Sequence, residues 1–180
     1  TEAAATPLCR AIPFPFLARP MPPDLRLRSA TAEDAAPLAA IYHDTIHRVN
    51  CRDYSPAQCD AWAPPESRQP EGWVRKQANR LTLVAEGDGH IVGFGELEPG
   101  GHIDCFYVHH AWQRRGVGRA LLTALETAAC QQGVTRLFLE ASVTAQPFFL
   151  AQGYRLVRHQ QVERRGIWLP NALMDKDLGP

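Results

Sequence analysis

The sequence predicts an α+β fold in which a mixed, mostly antiparallel sheet of six to seven strands lies between helices in an α/β/α arrangement. Three observations point to it. Residues 81–108 hold three strand-like runs, LTLVAE, HIVGFGELE and HIDCFYV, broken by GDG and EPGG turns, which is the pattern of an antiparallel meander. Residues 116–132 then place Val117, Leu121, Leu122, Leu125 and Ala128 at near-helical spacing and close on Gly133, so a long helix with a glycine C-cap follows the third strand. The next run, TRLFLE at 135–140, reads as a buried strand, and a strand–helix–strand crossover makes it a parallel neighbour of HIDCFYV.

The flanking elements follow in order. DLRLRSA at 24–30 alternates Leu25 and Leu27 with Arg26 and Arg28, the period of a half-buried strand. Thr31, with Glu33 and Asp34 after it, caps a helix that runs to about Val49 and buries Leu38, Ile41, Tyr42 and Ile46. Ser55 before Pro56 starts a short helix carrying Cys59 and Trp62, which Pro64 and Pro65 end. Another short helix spans 73–79. After the parallel strand, 145–152 reads as a short helix, and 155–163 with 167–175 as a strand pair around Arg165 and Gly166.

Composition narrows the class of protein. Basic and acidic side chains balance at 19 each, which argues against a phosphate-neutralising nucleic-acid binder. No apolar run reaches the length of a membrane span. The five cysteines are scattered with no CxxC pair, which fits thiols in a reducing, cytoplasmic setting and no metal site. Six of the 15 prolines fall in residues 1–23, so that segment reads as an extended leader ahead of one domain over 24–180.

Chemistry concentrates in VHHAWQRRGVGRA at 108–120, between a strand and the long helix. Gly116 and Gly118 let a ligand approach the backbone, the first-turn N–H groups have no helical partners, and Arg114, Arg115 and Arg119 add positive charge: an anion cradle suited to a pyrophosphate. Tight packing of the turn against the sheet explains a glycine pair equally well, so the context has to decide.

The arrangement resembles the GNAT N-acetyltransferases. Gln113, Arg114, Arg115, Gly116, Val117 and Gly118 match that family's Q/R-x-x-G-x-G/A motif, and Ala145, Phe148, Phe149, Gly153 and Tyr154 resemble its second segment. The resemblance covers about 25–178. It implies acetyl-CoA as donor, an acyl-CoA slot between a splayed parallel strand pair, and contacts to the cofactor from Phe106, Tyr107, Val108, the 113–119 loop, Ser142, Phe148 and Phe149. It also implies direct attack by a primary amine, of a small molecule or a peptide, on the thioester, in a chain that acts alone or as a homodimer. Two departures stand out: Phe149 where many relatives carry a tyrosine acid, and Ser142 where an asparagine is frequent. They motivate a rival reading, a CoA-binding sensor without turnover. A nucleotide site is a weaker rival, because no GxGxxG or Walker lysine accompanies the loop.

An amine must lose its proton before it attacks, so a base is expected. Strict alternation puts His102, Asp104, Phe106 and Val108 on one strand face. His102 is the first candidate base because a free imidazole titrates near neutrality. Asp104 is placed to orient it or to hold the ammonium, and Glu96 and Glu98 are fallbacks; each is also readable as an ordinary polar strand residue. A backbone N–H near Val108 would hold the oxyanion. Tyr42, His43 and Tyr54, with His47 and Trp62 nearby, form a candidate acceptor wall, with core packing or a solvated helix face as the alternative.

Overall fold

The structure, a computed structural model, describes residues 24–179; the leader expected over 1–23 lies outside them. The strands are β1 (Arg26–Ser29), β2 (Leu81–Gly87), β3 (His90–Leu97), β4 (Ile103–Val108), β5 (Arg136–Ser142), β6 (Arg155–Arg164) and β7 (Ile167–Asp177). The helices are α1 (Ala35–Arg48), α2 (Pro56–Trp62), α3 (Pro70–Gln77), α4 (Val117–Gln131) and α5 (Gln146–Ala151). The order follows the sequence reading, with α3 starting earlier because Pro70 supplies the fixed φ of a first helical residue. Ser55 caps α2, accepting from the Gln58 N–H at 3.2 Å while Gln58 Oε1 accepts from the Ser55 N–H at 2.9 Å.

The strands form two antiparallel sheets, β1-β2-β3-β4 and β5-β7-β6. One parallel bridge, His102 to Phe138, joins them, with the Phe138 N–H donating to Gly101 O at 3.0 Å. Among the described residues no ladder continues along β4 and β5, so the crossover pair predicted as parallel meets at one end and parts toward the other.

Helices α1 and α3 cover one face, where Leu38, Ile41 and Trp73 pack on Val84, Phe94 and Cys105. Helix α4 covers the other with Leu121, Leu122 and Leu125, all fully buried, each contributing roughly 1.5–3 kcal/mol of burial. Close approach of α4 depends on two glycines of β3. A Cβ on Gly93 would lie 3.2 Å from Leu121 and Val117, and one on Gly95 only 2.7 Å from Leu125. The apolar stripe of α4 therefore settles into a trough made by missing side chains.

One feature departs from the sequence reading. Gly95 pairs with Phe106 but Leu97 pairs with Ile103, so β4 absorbs an extra residue opposite β3. Alternation breaks at this bulge. Asp104 and Cys105 both turn to the α1/α3 side, while Phe106 and Val108 pack toward α4. The single face expected for His102, Asp104, Phe106 and Val108 does not exist.

Candidate active site

The parting strands leave one edge of β4 without a ladder. His109 N–H donates to Val92 O at 2.8 Å, so by antiparallel alternation His109 and Tyr107 bond to β3, and the amides of Phe106 and Val108 face the opening. Val108 O is braced from two sides, accepting from the Gln113 side-chain amide and the Thr45 hydroxyl, each at 3.3 Å. Gln113 thus holds the loop that leads into α4.

At the end of that loop, Gly116 is the N-cap of α4 with φ +86°, a left-handed conformation that costs other residues about 1–2 kcal/mol. Among the described residues no side chain caps this helix. The first intrahelical bond runs from Ala120 N–H to Gly116 O at 3.0 Å, so the amides from Gly116 to Arg119 precede the ladder and lie at the positive end of the helix dipole. Arg114, Arg115 and Arg119 have no ion-pair partner among the described residues, although Arg115 lies over the Trp112 ring at 5.1 Å. Gly118 faces Phe148, whose ring would be 3.3 Å from an added Cβ, and Phe148 stacks on Phe106 at 5.7 Å. Gly116 thus meets a conformational need at an open position, and Gly118 packs closely against Phe148 and Val108.

Phe149 is core, 3% exposed, edge-on to Phe106, Phe148 and Tyr154. Ser142 is a brace: its hydroxyl accepts from the Ala145 N–H at 3.1 Å and the Asn50 amide at 3.2 Å. The expected acceptor wall is likewise committed to structure in part. Tyr54 donates its hydroxyl to Pro170 O at 2.6 Å and accepts from Val143 N–H at 2.9 Å, which ties the α2 region to β7 and to the end of β5. Tyr42 donates to Trp62 O at 3.0 Å and packs edge-on against Trp73 and Tyr107. His43 stacks on His47, beside Asp44 and Arg68, and burial depresses its pKa.

The largest revision concerns His102. Its Nδ1 lies 2.8 Å from Glu98 Oε2, its Nε2 2.7 Å from Glu140 Oε2, and its ring stacks on Phe138. The two carboxylates, Glu140 foremost, raise its pKa from 6.5 to about 9. At neutral pH the ring is an imidazolium with both protons engaged and no lone pair for a base. The unperturbed imidazole expected from the sequence is absent because β5 delivers Glu140 to it. That residue was missed, although a glutamate inside LFLEA interrupts an apolar strand and is the kind of signal that marks a polar partner.

Next to it lies an ionic cluster. Arg80 reaches Glu96 at 3.1 Å and both Glu98 and Asp104 at 2.5 Å, and Lys76 reaches Asp104 at 3.3 Å. Glu96 is fully buried, and desolvation raises its pKa despite Lys76 and Arg80. Asp104 is partly exposed, and the two cations hold it below its ordinary value against desolvation. Burial pushes the Cys105 thiol well up, so it is no nucleophile at neutral pH. Glu96, Asp104 and Cys105 are close enough to ligate a cation, but Lys76 and Arg80 already take that place.

A helix N-terminus with open amides, with three nearby arginines and a strand edge all unpaired among the described residues, suits a phosphorylated, extended ligand. Residues 50–176 match the family described as Acetyltransferase (GNAT) domain. The chain belongs to the GNAT acetyltransferase family. It is 35% identical to the uncharacterized N-acetyltransferase YafP of Escherichia coli K12, over 84% of this chain and 95% of that protein. A GCN5-related N-acetyltransferase from Rhodopseudomonas palustris superposes with a TM-score of 0.82 at 35% identity, covering 90% of this chain and 99% of that one. PaiA N-acetyltransferase from Thermoplasma acidophilum, solved with coenzyme A, shares the fold at a TM-score of 0.69 and 18% identity, over 85% and 98% of the two chains. As a GNAT member the chain is an acyltransferase, and no helix among the described residues is long and apolar enough to cross a membrane.

Proposed function

We propose that this GNAT chain moves an acetyl group from acetyl-CoA to a primary amine by direct attack, without an acyl-enzyme. The observation that carries the reading is the N-terminus of α4, which among the described residues has no side-chain cap and three nearby arginines without ion-pair partners, beside the opening between β4 and β5. When bound, acetyl-CoA supplies a thioester activated for attack. The amides of residues 116–119 and Arg114, Arg115 and Arg119 hold its pyrophosphate. The Phe106 and Val108 N–H groups donate to its arm and polarise the acyl carbonyl, with Tyr107 fixing the strand from behind. Phe148 forms the apolar floor of the opening, with Phe149 packed behind it.

On the opposite side of the sheet, Asp104 and Glu140 draw the acceptor's ammonium toward the opening. Partners hold both carboxylates below their ordinary values, so they stay charged but take a proton poorly. His102 is already protonated and Glu96 is sealed behind Arg80, so the amine proton leaves to water on the acceptor side. Without a tyrosine at 149, water also protonates the departing thiolate. The test is coenzyme A release, followed with a thiol reagent, across a panel of small amines and peptide N-termini. Release with one class of amine supports the proposal. Tight acetyl-CoA binding with no release across the panel would favour a sensor.

A further inference from the structure

We infer that His102, gripped at both ring nitrogens by Glu98 and Glu140, is the clasp that fixes the opening between the two sheets and thereby positions acetyl-CoA. The inference rests on the acetyl-CoA reading above and assigns His102 a positioning rather than a catalytic part.

The clasp lies where the sheets are joined. Among the described residues, backbone pairing between β1-β2-β3-β4 and β5-β7-β6 is confined to the His102–Phe138 bridge. The turn before β4 is pressed against β5: a Cβ on Gly101, at φ +95°, would collide with Arg136 O and the Val134 side chain. Side chains complete the joint. The His102 ring lies flat on Phe138 at 4.9 Å, its Nδ1 holds Glu98 on its own sheet, and its Nε2 holds Glu140 on the other. Glu98 is itself fixed by Arg80, which also holds Asp104, so the grip is anchored to the ionic cluster of the first sheet.

The chemistry of the ring suits this task. Two carboxylates need two donors, and only the imidazolium has them; a neutral ring turns a lone pair toward one carboxylate and loses that link. The groups facing the ring are Glu98 from the turn after β3, Glu140 from β5 and, behind them, Arg80 and Asp104. Their balance raises its pKa from 6.5 to about 9. The folded value is the higher one, so the clasp is complete below about 6.5 and is lost as pH rises through about 9. The amides of Phe106 and Val108 lie further along the same strand. A change in the angle between the sheets at the joint moves them relative to β5, and small displacements of positioning groups lower affinity and rate.

The experiment compares wild type, His102→Gln, His102→Arg and Glu140→Gln for acetyl-CoA affinity by calorimetry and for KM and kcat between pH 6 and 10. His102→Gln should weaken acetyl-CoA binding about tenfold while kcat at saturation stays within about threefold, as expected for loss of one coupled contact outside the chemistry. His102→Arg keeps the charge and should restore affinity. Wild-type affinity should fall across pH 9, the arginine variant should lack that limb, and Glu140→Gln should move the limb to lower pH. A collapse of kcat in both His102 variants with unchanged affinity would show that His102 takes part in the chemistry. Unchanged parameters in all variants would overturn the clasp, and a wild-type protein that binds no acetyl-CoA would overturn the cofactor reading itself.

Discussion

Arg80→Met removes the cation that serves three carboxylates while keeping most of the apolar stem. Glu98 and Asp104 are about a third exposed, and losing an ion pair there costs about 0–1 kcal/mol each. Glu96 is different. With no exposure and one carboxylate oxygen without a partner among the described residues, it becomes a buried charge supported by Lys76 and the Cys105 thiol alone among the groups that lower its pKa. Breaking a buried pair costs about 3–5 kcal/mol, so with Lys76 still present about 3 kcal/mol is expected near neutral pH. For a chain of this size that corresponds to a fall in Tm of about 6–12 °C. The cost should depend on pH. Glu96 has a raised pKa in the fold, and losing Arg80 raises it further, so the folded variant holds that proton more tightly than the unfolded chain. The unfolded chains titrate alike, so its deficit relative to wild type should be small at acid pH, where both folded proteins hold the proton, and grow as pH rises past the raised value that Glu96 has in the wild-type fold. Urea denaturation of both proteins at pH 4.5 and 7.5 measures this, and Glu96→Gln added to Arg80→Met should recover most of the loss. A deficit independent of pH, or below about 1 kcal/mol at pH 7.5, would refute the assignment of Glu96 as the costly partner.

Gly116→Ala meets no neighbour within 4 Å but must adopt φ +86°, so it should lose about 1–2 kcal/mol by denaturation and weaken acetyl-CoA by calorimetry. Gly118→Val instead pushes on Phe148 and Val108, and acetyl-CoA affinity should fall more than stability does. Tyr54→Phe deletes the donor to Pro170 and the acceptor for Val143 N–H; thermal unfolding should show a loss of about 1–3 kcal/mol. Phe149→Tyr places a hydroxyl among Phe106, Phe148 and Tyr154: it should cost about 1–3 kcal/mol if buried unpaired, and little, with activity kept or raised, if it reaches the opening.

The long elements were legible because their periods are unambiguous: the Val117–Leu125 stripe, the LTLVAE and HIVGFGELE strands, and the Ser55-Pro56 helix start all lie where local chemistry puts them. The loop from Gln113 to Gly118 was legible for the same reason, since glycine at a helix start has a local meaning. The ionic cluster around His102 and Asp104 was not. A bulge is a relation between two strands, and nothing within HIDCFYV reveals that Asp104 and Cys105 share a face. His102 was misjudged because its titration is set by Glu98 nearby and Glu140, 38 residues away, and Tyr54 because its hydroxyl partners lie on β7 and just after β5. Charge pairs and hydroxyl contacts between distant segments leave no periodic trace.

The extra residue in β4 has a further consequence for how this strand can change. It cuts six residues into two phases that answer to different neighbours: Asp104 and Cys105 to Lys76 and Arg80, Phe106 and Val108 to α4. On the proposed reading, the side chains assigned to the acceptor can therefore be exchanged without moving the amides assigned to the donor. Removing one residue from that stretch would merge the phases and turn one half of the strand inside out. If the proposed assignments hold, a single irregular hydrogen-bond step lets one half of the strand diversify toward new amines while the other keeps its grip on acetyl-CoA.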